Sequence, residues 1–133
     1  MAKGNVIVRE VMKTNPVIIS PDITVQEAAA LMKSHKVDSC FIGSEKPLGI
    51  VTERDIVRKV VAENLHPSEV SVDHIMTTPI VVIDPFASLQ NAMEIMGKCH
   101  VRRLPVIEHD QLIGVITQKD ILKITPTLKE ISH

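Results

Sequence analysis

The chain has 133 residues, which allows one compact domain or two very small ones. Its 15 basic and 16 acidic residues give a net charge of −1, and tryptophan and tyrosine are absent. A charge this close to neutral argues against broad electrostatic binding to nucleic acid or to an anionic membrane surface, and the shortage of aromatic rings removes the stacking platforms that hold single strands.

The two cysteines and the apolar runs indicate in which cellular compartment the protein is expected. Cys40 and Cys99 lie beside apolar segments, and no signal peptide precedes them. We expect both to be reduced, partly buried thiols in a cytoplasmic protein. No apolar run approaches the roughly 18 residues of a membrane span, so no membrane association is expected.

An internal repeat covers nearly the whole chain. Val11-Met-Lys-Thr-Asn-Pro16 returns as Ile75-Met-Thr-Thr-Pro79, one residue shorter, and the segments that follow match in the same order. The repeat predicts three parts, which are a first repeat at 1–62, a linker at 63–74 and a second repeat at 75–133.

Each repeat predicts the same elements in chain order: short strand, helix, strand, strand, helix. Thr24 and Ser88 are favourable N-caps for the first helix of each repeat, where apolar residues recur at helical spacing. The hairpin strands are predicted at 39–42, 47–51, 103–107 and 112–116. The predicted fold class is α/β (α+β), with the two repeats packed sheet to sheet about a pseudo-twofold axis.

One sequence motif occurs twice, at the end of each predicted hairpin. Gly49-Ile-Val-Thr52-Glu-Arg-Asp55 returns as Gly114-Val-Ile-Thr117-Gln-Lys-Asp120, and in both copies a buried strand turns into a helix at the threonine. Thr-x-x-Asp at a helix start also forms a capping box. Such a cap contributes about 1 kcal/mol to the stability of the fold and does not require a bound ligand. The glycine, the preceding strand and the second copy favour a ligand site, and capping can coexist with it.

These features together resemble the cystathionine-β-synthase (CBS) domain family in its tandem form. The resemblance rests on the doubled motif, the Met-x-x-x-Pro start, the Ala-rich helix and the run Val101-Arg-Arg-Leu-Pro105-Val. It implies a non-catalytic regulatory module that binds an adenine nucleotide or an adenosyl ligand in clefts between the repeats. It also implies a homodimer and an effector protein whose identity the sequence does not give.

The resemblance assigns the ribose hydroxyls to the motif aspartate and places the motif threonine near the ribose and phosphate. The first site carried over in this way consists of Ile50, Thr52, Asp55, Arg102, Arg103 and Pro105, with Ile80 to Val82 as an apolar wall against the adenine. The second site consists of Val115, Thr117 and Asp120, with Asp38, Ser39 and Phe41 in place of the arginines and the proline. Weaker phosphate candidates are Arg54 and Lys119.

The two sites differ in charge. An arginine fork makes bidentate bonds to phosphate oxygens, whereas the carboxylate of Asp38 would repel them unless a cation or Lys36 intervenes. We therefore expect the first site to bind a nucleotide more tightly. The expected regulatory ligand is AMP, ADP, ATP or S-adenosylmethionine, and no catalytic cofactor is expected.

Other functions have weaker support in the sequence. The histidines form no i, i+4 pair and no Cys/His ligand spacing, so no metal site is expected. No nucleophile motif such as Gly-x-Ser-x-Gly occurs, so we do not expect an enzyme. The alternative to a ligand sensor is a dimerisation or interaction scaffold with vestigial clefts, and nucleic-acid binding is a third class that the charge disfavours.

Overall fold

A computed structural model of the protein describes residues 6–44 and 46–124. Its elements in chain order are α1 (Val8–Val11), β1 (Ile18–Ile19), α2 (Val25–His35), β2 (Ser39–Gly43), β3 (Pro47–Thr52), α3 (Glu53–Ile56) running into a π-helix (Val57–Val61), two 3-10 turns (Pro67–Glu69 and Val72–His74), α4 (Leu89–Cys99), β4 (Arg103–Glu108) and β5 (Gln111–Thr117). Residues 118–124 are helical and are called α5. The N-terminal residues 1–5 and the C-terminal tail 125–133, assigned above to the two repeats, lie outside the described residues.

The strands form two small sheets. In the first, β1 is parallel to β2 and β2 is antiparallel to β3. In the second, β4 is antiparallel to β5, and Ile83 makes a parallel bridge to Val106 at the position that β1 takes in the first repeat. A mixed α/β fold is therefore confirmed. The predicted order of strand, helix, strand, strand and helix holds in the first repeat, and in the second repeat a single bridge at Ile83 replaces the first strand.

The first long helix of each repeat begins where the sequence predicts. Thr24 Oγ1 accepts a hydrogen bond from the Glu27 N–H at 3.1 Å, and the Glu27 carboxylate accepts one from the Thr24 N–H at 3.1 Å. Ser88 Oγ accepts from the Asn91 N–H at 3.0 Å. Both caps satisfy backbone donors that the helix cannot bond internally, which fixes the first turn of α2 and of α4.

The contacts divide the chain into two compact units that cut across the sequence repeats. The first unit is Pro16–Ile80, and the second combines residues 6–15 with 81–124. The leading segment of repeat 1 (residues 6–15) therefore packs on repeat 2, and the leading segment of repeat 2 (residues 70–80) packs on repeat 1. This division differs from the predicted boundaries of 1–62, 63–74 and 75–133.

Backbone hydrogen bonds account for the difference, because each leading segment finds its partners in the other repeat. The Leu89 N–H donates to Val6 O at 3.1 Å, and the Val25 N–H donates to Val70 O at 2.8 Å, which is the equivalent position. Val72, which falls in the predicted linker, is fully buried in the first unit. The leading segments are thus parts of the two cores.

Each unit has an aliphatic core of its own. The core of the first unit consists of Ile19, Val25, Ala28, Met32, Cys40, Ile42, Val51, Val60, Val72 and Ile75. The core of the second unit consists of Val8, Ile83, Leu89, Ala92, Met96, Leu104, Val106, Ile116 and Ile121. Cys99 was predicted to be partly buried and is instead exposed, because it is the last residue of α4.

Candidate ligand site

The first strand-to-helix turn, the Thr52 turn (residues 52–55), is closed by reciprocal hydrogen bonds. Thr52 Oγ1 accepts from the Asp55 N–H at 3.1 Å, and Asp55 Oδ2 accepts from the Thr52 N–H at 2.9 Å. The Thr52 hydroxyl also donates to Oδ2 at 3.1 Å. The predicted capping role of this pair is confirmed, and the bonds orient the Asp55 carboxylate.

The Thr117 turn (residues 117–120) repeats this geometry in the second unit. The Asp120 N–H donates to Thr117 Oγ1 at 3.1 Å, and the Thr117 N–H donates to Asp120 Oδ2 at 3.1 Å. Asp120 is 6% exposed, and the Asp55 side chain is 13% exposed. Both motif carboxylates are therefore held by backbone donors and largely withdrawn from solvent.

Arg102 and Arg103 lie beside the Thr117 turn of their own unit. Arg103 is opposite Thr117 in the β4–β5 register, and Arg102 O accepts from the Gln118 N–H at 2.8 Å. Arg102 is exposed and Arg103 is partly buried, as expected for neighbours whose side chains leave opposite faces of a strand.

Asp38 and Ser39 take the equivalent places beside the Thr52 turn. Ser39 is opposite Thr52 in the β2–β3 register, and Asp38 O accepts from the Glu53 N–H at 3.0 Å. Within its own unit, one turn is therefore flanked by two cationic side chains and the other by a carboxylate and a hydroxyl.

The residues just before each turn attach the leading segments. Ile50 exchanges two backbone hydrogen bonds with Thr77, of 3.1 and 2.8 Å, and Val115 exchanges two with Lys13, both of 2.9 Å. Ile50 and Val115 are partly buried. Their backbone groups are thus occupied by structure, and only their side chains remain for contact with a ligand.

The same contacts with the leading segments explain why both of these motif positions are glycine. A Cβ at Gly114 would lie 2.8 Å from Lys13 O and 2.7 Å from Met12 Sδ. A Cβ at Gly49 would lie 3.0 Å from Thr77 O and 2.8 Å from the sulfur of Met76. Each glycine therefore permits the close approach of a leading segment.

The remaining predicted site residues are spread over both units. Pro105 is buried in β4, where its carbonyl accepts from the Ile83 N–H at 3.0 Å. Ile80 is partly buried and ends the first unit, whereas Val82 is 45% exposed and belongs to the second. The weaker phosphate candidates Arg54 and Lys119 are exposed in the first turns of their helices.

Two residues that the sequence does not single out contact Asp55. Lys59 Nζ lies 3.2 Å from Asp55 Oδ1 and donates to Ile75 O at 2.8 Å. The Thr77 hydroxyl donates to the same Oδ1 at 3.5 Å. Lys59 follows Asp55 by four residues in the same helix, a spacing at which opposite charges meet, so the sequence did contain this signal.

A third overlooked residue contacts the other motif carboxylate. Lys13 Nζ lies 3.5 Å from Asp120 Oδ1, and the lysine side chain is 65% exposed. No local pattern in the sequence connects the two residues, because Lys13 belongs to the leading segment of repeat 1 and Asp120 to repeat 2.

Within residues 6–44 and 46–124, no helix combines the length and hydrophobicity that a membrane crossing requires. The same part of the chain brings together no group of three or more His, Cys, Asp or Glu side chains suited to a metal ion.

Comparison with known proteins matches the CBS domain family model twice, to residues 8–62 and 72–126. An uncharacterized protein of Methanopyrus kandleri is 37% identical over 127 residues, which are 93% of this chain and 65% of that protein. The CBS domain-containing protein YhcV of Bacillus subtilis is 33% identical over 115 residues, which are 86% of this chain and 81% of that protein.

Solved structures show the same architecture. The hexameric CBS-CP12 protein from bloom-forming cyanobacteria has a TM-score of 0.85 and 34% sequence identity, over 93% of this chain and 74% of that chain. The doubled turn, its glycine and its oriented aspartate thus occur here within an architecture that other proteins share.

Proposed function

The chain belongs to the CBS domain family, as a tandem pair of CBS domains, and from this premise we propose that it is a regulatory module without catalytic activity. It senses an adenine nucleotide or an adenosyl compound, with AMP, ADP, ATP and S-adenosylmethionine as the candidate ligands, and passes the change to an effector protein in the cytoplasm. The observation that carries the proposal is the pair of oriented, mostly buried carboxylates, Asp55 and Asp120, at equivalent turns.

A carboxylate in this setting suits a ribose. Its two oxygens offer about four acceptor positions. At Asp120 the Thr117 N–H and Lys13 take two of them. At Asp55 the Thr52 N–H and hydroxyl, Lys59 and Thr77 contact both oxygens, so a ribose would replace the 3.5 Å bond from the Thr77 hydroxyl. Two neighbouring hydroxyl groups of a ribose can donate to the remaining positions, as charge-assisted bonds that are stronger than neutral ones. The proposal therefore gives the ribose to Asp55 and Asp120, and the contact near the ribose and phosphate to Thr52 and Thr117.

The other predicted residues complete the proposed sites. Arg102 and Arg103 bind the phosphate, since guanidinium groups match phosphate oxygens in charge and geometry. The apolar contacts to the adenine come from Ile50, Ile80, Val82, Pro105 and Val115. Like the sequence prediction, the proposal assigns the two arginines to the site of Asp55. We expect that site to bind the nucleotide more tightly than the site of Asp120.

A homo-oligomer is part of the proposal. Val57 and Val61 lie four residues apart on the helix after the Thr52 turn and are 58% and 62% exposed, and Leu122 on α5 is 53% exposed. Side chains of this kind at i, i+4 form an apolar stripe, which a second copy of the chain would cover. The similar CBS-CP12 protein is described as hexameric.

Light scattering after size-exclusion chromatography tests the oligomer. Wild type is expected to elute as a dimer or larger assembly, and Val61→Asp should shift it toward the monomer while the exposed control Lys33→Asp should not. A monomeric wild type at micromolar concentration contradicts this part of the proposal.

One observation favours the alternative of a scaffold without a ligand. Both motif aspartates already have partners inside their own units, so helix capping by itself accounts for their orientation. A panel of ligands separates the two functions, because only a sensor is stabilised by one of them.

The experiment is a thermal-shift panel of AMP, ADP, ATP, NADH and S-adenosylmethionine. A ligand at about 100 times its dissociation constant stabilises the native state by about 2.7 kcal/mol. Asp55→Asn and Asp120→Asn remove the charge and keep an oxygen for the threonine N–H, so they should lose the ligand-induced shift rather than the fold. The exposed Asp73→Asn serves as the control. No shift with any ligand would favour the scaffold.

A further inference from the structure

Each motif carboxylate is paired with a lysine, and the repeat does not explain the pairing. Asp55 Oδ1 lies 3.2 Å from Lys59 Nζ, and Asp120 Oδ1 lies 3.5 Å from Lys13 Nζ. The two ammonium groups reach equivalent carboxylates from different parts of the chain. Lys59 is on the helix that the Thr52 turn begins, whereas Lys13 is on a leading segment.

The equivalent positions in the other repeat carry no lysine. The counterpart of Lys13 is Thr77, whose backbone bonds to Ile50 as that of Lys13 bonds to Val115. The counterpart of Lys59 is Ile124. The two ion pairs are therefore not copies of one another within the repeat.

We propose that Lys13 and Lys59 set the charge of the ligand that each turn accepts, by allowing a phosphate to lie near the carboxylate that holds the ribose. This inference rests on the proposed function and adds a specificity role for two residues. A ribose bound to Asp55 or Asp120 brings its phosphate close to a negative charge. An ammonium beside the carboxylate offsets that repulsion, because opposite charges a few ångströms apart attract each other.

The exposure of the lysines suits this role. Their side chains are 44% exposed for Lys59 and 65% exposed for Lys13, whereas the carboxylates beside them are 13% and 6% exposed. The lysine side chains are therefore accessible to a ligand that arrives from solvent, whereas the carboxylates beside them are largely buried. Lysine is a flexible point charge, so it can turn from the carboxylate toward a phosphate oxygen.

The two lysines differ in how firmly they are held. Lys59 is anchored by a second bond, to Ile75 O at 2.8 Å, and Lys13 makes its ion pair from a side chain that is mostly in solvent. Both should favour phosphorylated ligands over the parent nucleoside, because a nucleoside carries no charge for either lysine to offset.

Calorimetric titration with AMP and with adenosine tests the inference, since the two compounds differ only in the phosphate. To isolate each turn, Lys13→Met is studied in the Asp55→Asn background and Lys59→Met in the Asp120→Asn background. Methionine keeps the length and apolar stem of lysine without the charge. Lys13→Arg and Lys59→Arg keep the charge, and Lys33→Met removes an exposed lysine elsewhere.

We expect each Lys→Met change to lower the ratio of AMP affinity to adenosine affinity by about twofold to fivefold, as loss of a charge contact that solvent partly screens implies. The Arg variants should retain the wild-type ratio, and Lys33→Met should leave it unchanged. The ratio compares two ligands on one protein, so a loss of stability in Lys59→Met does not affect it.

An unchanged ratio, or an equal loss of affinity for both compounds, would overturn the inference while the proposed function stands. Binding of S-adenosylmethionine without binding of AMP would do the same. Failure of the wild type to bind any of AMP, ADP, ATP and S-adenosylmethionine would overturn the proposed function itself, and with it this inference.

Discussion

Replacing Gly114 by alanine tests the packing of the leading segment of repeat 1. The new Cβ would lie 2.8 Å from Lys13 O and 2.7 Å from Met12 Sδ. The sulfur can move with its flexible side chain, but the carbonyl is fixed, because Lys13 exchanges two hydrogen bonds of 2.9 Å with Val115. The backbone must therefore shift, and overpacking of this kind costs about 1–3 kcal/mol.

Gly97→Ala is the matched control. Residue 97 is inside α4, where an added Cβ meets nothing within 4 Å, and alanine is favoured over glycine in a helix by about 0.5–1 kcal/mol. Urea unfolding should place Gly114→Ala below the wild type and Gly97→Ala above it, with the two variants about 1.5–4 kcal/mol apart. A Gly114→Ala protein as stable as the wild type would refute the close approach of the leading segment.

Three further predictions concern the turns and the thiols. Thr52→Ala and Thr117→Ala should each lower the free energy of unfolding by about 1 kcal/mol, while the Ser variants retain most of it; a loss near zero would speak against the caps. Burial raises the pKa of the Cys40 thiol from 9.0 to about 11, so the native state holds that proton where the unfolded state loses it. Stability should fall as pH rises from 9 toward 11, and Cys40→Ala should abolish that part of the dependence. At pH 8 a thiol reagent should label exposed Cys99 in the native protein and Cys40 only after unfolding, and equal labelling rates would contradict the burial of Cys40.

The elements of the fold could be predicted because their signals are local. Thr24 and Ser88 start helices through bonds to residues three positions away, and the hairpins bring together neighbouring segments. The capping of the two turns by Thr52 and Thr117 could be predicted for the same reason. The ion pair of Lys59 with Asp55 is also local, since it spans one helical turn, and its i, i+4 spacing was visible in the sequence.

The exchange of the leading segments could not be predicted from the sequence. The two repeats offer nearly equivalent apolar faces and backbone edges. The sequence pattern alone therefore does not decide whether Val6 bonds to the first residue of α2 or to the first residue of α4. The structure pairs it with Leu89 and pairs Val70 with Val25. The contact of Lys13 with Asp120 follows from this exchange, and sequence spacing therefore could not have shown it.

The candidate site shows the same limit. The doubled motif indicates the two carboxylates and their turns, because both are local. The predicted role of Arg102 and Arg103 depends on contacts distant in sequence, and the structure fixes only their register beside Thr117.

The most direct test of ligand binding at the motif is a titration of ¹⁵N-labelled protein with AMP, followed through the backbone amides of Thr52 and Thr117. Each of these N–H groups donates to a motif carboxylate, at 2.9 and 3.1 Å respectively, so a ribose that binds the carboxylate must change its resonance. We predict saturable changes at one or both amides, lost from the respective turn in Asp55→Asn and Asp120→Asn. Resonances that stay unchanged with AMP, and equally with ADP, ATP and S-adenosylmethionine, would contradict a ligand site at these turns.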